Sequence, residues 1–259
     1  MIPLHDDNPA RQRAWMTLAI IIACCAVYFL VQPVGRQMVG RTTDAGTSSS
    51  CADLKFNLDH AAIPYEVTHA RSFTTGTRAQ YLTQVGCRRT AQTPLPTKNV
   101  WESVVVSIFL HGGLLHLGGN MLFLWIFGNN IEDRLGRARY LVFYLGAGVV
   151  ATAVQVVLSP SSTAPVIGAS GAIAGVMGAY LVLFPRVRIK SLIILVVIPL
   201  IFSLRAFWWL GIWFVSQFFV SPSSGVAWGA HVGGFVFGLL VGAVLRSGPA
   251  SRGAERRRS

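Results

Sequence analysis

The sequence is poor in charge, and poorest in negative charge. Charged residues fill 12% of the 259 positions, and ten Asp and Glu stand against 22 Lys and Arg. A soluble globular domain carries about 25% charged residues, so an ordinary water-soluble fold is excluded. A disordered chain combines high charge with low hydrophobicity, and 53% hydrophobic residues exclude that as well. The formal net charge of +12 does not point to nucleic acid, because too few polar residues accompany the basic ones to build a solvated binding face. No nucleic-acid partner is expected. Cysteine is also scarce, at four residues. Cys24 and Cys25 sit in an apolar run and read as small lipid- or core-facing side chains. Cys51 and Cys87 sit in a polar segment. They form a disulfide if that segment faces an oxidising compartment, and are otherwise two free thiols.

What the chain does have is long uncharged runs: Ala14 to Gly35, Ser103 to Ile131, Tyr140 to Pro185 and Ala206 to Leu245. A spanning helix needs about 20 largely apolar residues. The third run is interrupted at Ser159-Pro160-Ser161-Ser162 and the fourth at Ser221-Pro222-Ser223-Ser224, so each holds two spans. Six spans are predicted, over 14–32, 104–128, 138–158, 168–184, 205–220 and 226–245. Ser191 to Leu204 is apolar too, but it has only fourteen residues and contains Pro199. Segments of that length lie at the interface or re-enter more often than they span.

The basic residues orient the bundle. With an even span count and a cytoplasmic N-terminus, the inner segments hold Arg11, Arg13, Arg134, Arg137, Arg139, Arg186, Arg188, Lys190, Arg205 and Arg246. They also hold Arg252 and Arg256-Arg257-Arg258. The two short outer loops hold none, and the remaining eight lie in the long 33–100 segment, which is largely exempt from the positive-inside rule. A seventh span would put the Arg-rich C-terminus outside. Residues 1–13 are thus expected to be a cytoplasmic N-terminus and 14–245 the membrane domain. Within it, 33–100 reads as a long extracytoplasmic loop and 186–204 as a cytoplasmic-side, partly membrane-lying connection. Residues 246–259 read as a basic tail near anionic headgroups. The first apolar run is too long for a signal peptide and lacks a clear cleavage site.

Three signals carry chemistry. His116 and Asn120, four apart in His111-Gly-Gly-Leu-Leu-His116-Leu-Gly-Gly-Asn120, share one helix face. Two donors side by side suit a developing oxyanion, and equally suit interhelical hydrogen bonds that glue a bundle. Ser170 opens the fourth span in Gly168-Ala169-Ser170-Gly171, where free N–H groups and the dipole favour negative charge. A Ser among glycines also simply caps or packs a helix. His231 lies near the start of the sixth span, which runs parallel to the fourth, so Ser170 and His231 share a depth. Each is followed by glycines four apart, Gly171/Gly175 and Gly234/Gly238, and such pairs let backbones approach closely. Close approach is what a Ser hydroxyl needs if an imidazole is to take its proton. No carboxylate is expected at that depth: Glu102, Glu132 and Asp133 all lie at span ends. A Ser–His dyad without an acid follows, with the imidazole held by packing. A metal on His111, His116 and His231 is the competing use of the histidines, but no acidic or Cys ligand joins them and Ser170 would be left idle.

These residues resemble a known family. His116-x-x-x-Asn120, Gly168-x-Ser170-Gly171 and Ala230-His231-x-x-Gly234 are similar in type and order to the signature of the rhomboid intramembrane serine proteases. Glu132-Asp133-Arg134-Leu135-Gly136 resembles that family's Glu-x-Arg-Leu-Gly turn, and Met1 to Pro9 resembles the start of many bacterial members. The resemblance implies an all-α, polytopic bundle of six transmembrane helices in a bacterial inner membrane. It implies a serine endopeptidase that cuts transmembrane protein substrates in or near the bilayer and needs no cofactor or metal. Its partners would be those substrates and membrane lipids. By the same resemblance Ser170 is the nucleophile and His231 the general base and acid. Asn120, His116 and the Ser170 N–H are the oxyanion donors. Two positions depart from the pattern. Ala174 stands where many members carry an aromatic beneath the histidine, so another side chain must support the ring. Glu102 follows Trp101 where some members carry Trp-Arg. The aromatics Phe207, Trp208, Trp209, Trp213 and Phe214 are either a lateral gate or an ordinary aromatic belt. The rival to a protease is a rhomboid-like pseudoprotease that binds membrane clients without cutting them, although such a protein would be expected to lack Ser or His. A transporter would need paired broken-helix repeats and midplane charge.

Overall fold

The uncharged runs fold as helices in the computed structural model, which describes residues 1–34, 49–84, 86–87, 98–195, 198–221 and 225–247. The proposed basic tail beyond Ser247 and part of the 33–100 loop lie outside these residues. The first apolar helix, α1 (Trp15–Ala26), continues through a π-helical turn, Val27–Val31. A small loop unit follows: α2 (Ser49–His60), α3 (Pro64–Thr68) and α4 (Thr75–Gln84). Then come α5 (Val100–Val106), α6 (Leu114–Leu135), α7 (Arg137–Leu158), α8 (Ser170–Leu183), α9 (Ala206–Ser216) and α10 (Trp228–Ser247). Helices α7 and α10 are long and apolar enough to cross a membrane alone. Val100–Phe109 and Leu114–Leu135 would make a third crossing only as a pair bent by 80°. The predicted span 104–128 is therefore broken, and its continuous helix starts at Leu114.

The bend needs its backbone satisfied, because an unpaired peptide group in an apolar setting costs several kcal/mol. Gln32, at the end of the first helix, supplies the partners. Its Nε2 donates to the His111 carbonyl at 2.9 Å, and its Oε1 accepts the His111 N–H at 2.9 Å.

Helix α8 is the centre of the bundle: every residue from Gly171 to Tyr180 is buried. A helix that is apolar all round belongs inside. It packs on α10 with almost no space between backbones. A Cβ placed on Gly234 would strike the Gly171 carbonyl oxygen, and one on Gly238 would strike the Gly175 carbonyl oxygen. On another face, a Cβ on Gly175 would lie 2.6 Å from the Ala147 Cβ of α7.

The chain is mostly helical, but it is not all-α. The 186–204 connection, expected to lie in or dip into the membrane surface, is a β-hairpin of β2 (Arg188–Leu195) and β3 (Ile198–Arg205). A third strand, β1 (Ile2–Asp6), adds to it antiparallel, in the order β1-β2-β3, with Ile2 opposite Leu192. The physical reason is visible in the residues. Ile-rich segments favour strands. Along β2, Ile189 and Ser191 are buried while Arg188 and Lys190 are exposed, which is the two-residue strand period. Pro199 is tolerated because β3 is an edge strand.

Two carboxylates tie this end of the bundle, remote from Ser170, together. Buried Glu132 of α6 accepts the N–H groups of Met16 and Thr17 at 2.9 and 2.7 Å and the Thr17 hydroxyl at 2.8 Å. It caps the N-terminus of α1 from another helix, where free N–H groups and the dipole favour an anion. Asp6 of β1 accepts the Tyr180 hydroxyl of α8 and the Asn130 side-chain amide of α6, the latter at 2.9 Å.

The loop unit has its own core, formed by Leu58, Ile63, Phe73, Leu82 and Cys87. Cys51 and Cys87 form a disulfide, with Cα atoms 5.5 Å apart. Buried Lys98 pairs with buried Glu66 and donates to the carbonyls of Leu58 and Ala61. The unit docks on the connection between α7 and α8 through backbone bonds: Val166 N–H to the Ala62 carbonyl at 2.8 Å and Tyr65 N–H to the Ser162 carbonyl at 3.0 Å.

Candidate active site

Ser170 is the first residue of α8, and the chain enters it through a sharp constraint. Gly168 has φ +121°, a conformation that side chains rarely adopt. A Cβ there would also lie 2.9 Å from Cε1 and Nε2 of His116. The Gly168 N–H donates to the Ser107 carbonyl at 3.0 Å, and the Ser107 hydroxyl accepts the Ala62 N–H at 2.6 Å. The segment before the serine is thus held by the 3₁₀ turn after α5 and by the loop unit.

Close packing of α8 on α10 brings the Ser170 Oγ to 2.8 Å from His231 Nε2. The imidazole lies beside Trp213 of α9, with ring centroids 5.9 Å apart, and Trp213 in turn packs on Phe235. Ala174 is fully buried. The aromatic ring beside the imidazole comes from the neighbouring helix instead.

The other nitrogen of His231 was not placed by the sequence. Its Nδ1 lies 2.7 Å from Oε1 of Gln217, a buried residue in the 3₁₀ turn after α9. The only sequence signal for Gln217 is a lone amide in an aromatic apolar run, which by itself reads as bundle glue.

His116 stands on the first turn of α6. Its Nδ1 accepts the Gly112 N–H at 3.3 Å, so the neutral ring carries its proton on Nε2, on the edge that faces Gly168. Asn120, one turn on, is buried, and its amide nitrogen has no hydrogen-bond partner among the described residues. His116, Asn120, Ser170 and His231 line one cavity of about 210 Å³, with Trp213. A larger one of about 760 Å³ opens over His116, Ser170 and His231, between the Gly112–Gly113 bend, the 165–167 segment and Gly225 to Ala227. His111 faces elsewhere: its backbone is bound to Gln32, and its ring stands edge-on to His116 at 5.4 Å.

The aromatics of α9 divide. Trp209 is buried, with Nε1 donating to Ser191 Oγ at 2.7 Å, and Phe214 stacks on Phe235 at 4.6 Å. Phe207 and Trp208 are exposed. The five are not one surface: Trp209, Trp213 and Phe214 pack inward, and the other two face out.

Residues 97–248 match the rhomboid domain family. Rhomboid protease GluP of Bacillus subtilis is 31% identical over 152 residues, covering 56% of this chain and 26% of that protein. The mitochondrial Rhomboid protein 1 of Saccharomyces cerevisiae is 28% identical over 149 residues, covering 54% of this chain and 40% of that protein. The putative rhomboid protease YdcA of Bacillus subtilis is 38% identical over 81 residues, 31% of this chain and 40% of that protein. The chain spans between about a quarter and two fifths of the length of these relatives. The family match covers more than half of the chain and includes His116, Asn120, Ser170 and His231. The chain belongs to the rhomboid family of integral membrane proteins, which includes intramembrane proteases.

Proposed function

We propose that the chain is an intramembrane serine endopeptidase that hydrolyses peptide bonds of transmembrane proteins through Ser170 and His231. The observation that carries this reading is the 2.8 Å contact between Ser170 Oγ and His231 Nε2 at a cavity shared with the Asn120 amide nitrogen, which has no partner among the described residues. In the mechanism, His231 Nε2 takes the hydroxyl proton as Oγ attacks the substrate carbonyl. The carbonyl oxygen becomes an oxyanion beside the Asn120 amide, His116 Nε2–H and the Ser170 N–H at the start of α8. Donors already in place for a charge that appears only in the transition state are worth on the order of 10²–10³ in rate each. His231 then passes its proton to the leaving amine. An acyl-enzyme remains, and water resolves it by the same route in reverse.

The six apolar segments supply six spans, with both termini cytoplasmic and Ser170 near the outer side of a bacterial inner membrane. The basic residues of the short loops favour that orientation. The cavity of about 760 Å³ above the dyad would admit water from outside and an unwound stretch of substrate. Helix-breaking small residues in the substrate would make unwinding cheaper. The glycine-bounded bend at Gly112–Gly113 is irregular backbone of the kind tolerated where it lines such a cavity.

The test is cleavage of a single-span substrate by the purified chain in proteoliposomes. Ser170→Ala and His231→Ala are expected to lose all measurable product, a drop of at least about 10³-fold. Undiminished cleavage by Ser170→Ala would sink the mechanism. A wild type that binds many single-span proteins and cuts none would favour the client-binding pseudoprotease.

A further inference from the structure

His231 is held from both sides, and the second side decides which nitrogen is free. Gln217 Nε2 donates to the Trp213 carbonyl at 3.0 Å and lies 3.2 Å from the Ser216 Oγ. A carbonyl only accepts, so the amide nitrogen must face Trp213, and the amide oxygen must face His231 at 2.7 Å. An amide oxygen also only accepts. The proton of a neutral His231 is then on Nδ1, and Nε2 presents its lone pair to Ser170 Oγ. We propose that Gln217 is the positioning residue of the site: a neutral third member that fixes the His231 tautomer and ring orientation in place of a carboxylate. The inference rests on the dyad reading given above.

The choice of an amide has a physical reason. A carboxylate beside the imidazole would bring an ion into a buried, apolar setting at high cost. An amide supplies the accepting oxygen and leaves no charge to compensate. When Nε2 takes the Ser170 proton, the imidazolium keeps its Nδ1–H bond to Gln217. When Nε2 gives that proton to the leaving amine, the ring returns to the same tautomer. The amide is itself fixed by the Trp213 carbonyl of the preceding helical turn, so the last turn of α9 becomes part of the site.

The experiment uses the full chain in detergent, with kcat and KM measured for one single-span substrate and with ¹⁵N-histidine labelling of its six histidines. Gln217→Met keeps the side-chain length and removes the acceptor. It is expected to lower kcat about tenfold or more, with KM unchanged within about twofold. Gln217→Glu, kept protonated by the buried apolar setting, retains a neutral accepting carbonyl oxygen and should regain about threefold or more over Gln217→Met. In wild type the His231 signals should show Nδ1 protonated and Nε2 bare, and this state should be lost in Gln217→Met. The wild-type spectrum tests the inference even where a variant fails to fold: an Nε2-protonated His231 would overturn it. So would Gln217→Met turning over at the wild-type kcat. With Ser170→Ala inactive, that second outcome removes Gln217 alone and leaves the dyad standing, whereas cleavage by Ser170→Ala removes the dyad itself.

Discussion

Asp6 is a carboxyl clasped between a strand and two helices, and burial raises its pKa above the ordinary carboxylate range. The Tyr180 hydroxyl and His5 pull it down, and Asp7 pushes it up. A carboxyl with a higher pKa folded than unfolded keeps its proton longer in the folded state. Stability is therefore lost as pH rises through the window between the ordinary and the raised values. Thermal unfolding of wild type and Asp6→Asn, followed from about pH 4 to about pH 8, checks this. The stability of wild type relative to Asp6→Asn should fall with rising pH. A difference that is flat or rising would remove Asp6 as its source. Single residues also show what local sequence carries. Helix spacing pairs His116 with Asn120, span direction sets Ser170 and His231 at one depth, and the family resemblance joins the two pairs; all four line one cavity. Gln217 has no such motif. It becomes meaningful only when the turn after α9 folds against α10, and nothing in its neighbours' composition announces that contact.

At the scale of elements, the site is a product of the α8–α10 contact. Gly238 has no room for a methyl group, because the Gly175 carbonyl occupies the place. Gly238→Ala should push the helices apart, costing about 1–3 kcal/mol in thermal or denaturant unfolding. It should also lower kcat, since a displacement of about 1 Å between reacting groups can cost on the order of 10²-fold. At Gly211 of α9, by contrast, an added methyl group would meet nothing within 4 Å. Gly211→Ala should leave both quantities within about 0.5 kcal/mol of wild type. Equal behaviour of the two variants would show that the glycine contact does not set the distance. The helices were legible because hydropathy and breaking residues are local signals: the predicted 138–158 and 226–245 are observed as Arg137–Leu158 and Trp228–Ser247. The sheet was not legible. Fourteen apolar residues with one proline have the composition of an interfacial segment, and the strand that pairs with them lies at the other end of the chain. The bend at Leu110 to Gly113 was hidden for a similar reason, since its backbone partners come from Gln32.

At the scale of the molecule, the loop unit and the site are mechanically joined. The disulfide closes a stretch with a sequence separation of 36, which corresponds to about 3–4 kcal/mol of loop-closure stabilisation for the unit. The unit's Ala62 bonds both to Val166 and to Ser107, and Ser107 also receives the Gly168 N–H two residues before the serine. Cys51→Ser/Cys87→Ser should therefore be cut faster by an added protease within 49–87, and should cleave substrate more slowly than wild type. Faster proteolysis with unchanged substrate turnover would mean that the unit is a passive cap.

The sheet also sets an order of events in time. Strand β1 precedes β2 in the chain by more than 180 residues and pairs with residues 189–192 of it. Its partners emerge only after most of the helices have been synthesised. At about 5–20 residues per second, Ile2–Asp6 waits on the order of ten seconds or more with an unpaired edge. Asp6 likewise waits for Tyr180, which is made shortly before β2. The seam that ties β1 to the far end of the serine's own helix is thus open while the intervening helices are made, so a growing molecule passes through a stage in which most of its helices are present and that helix is still unmoored.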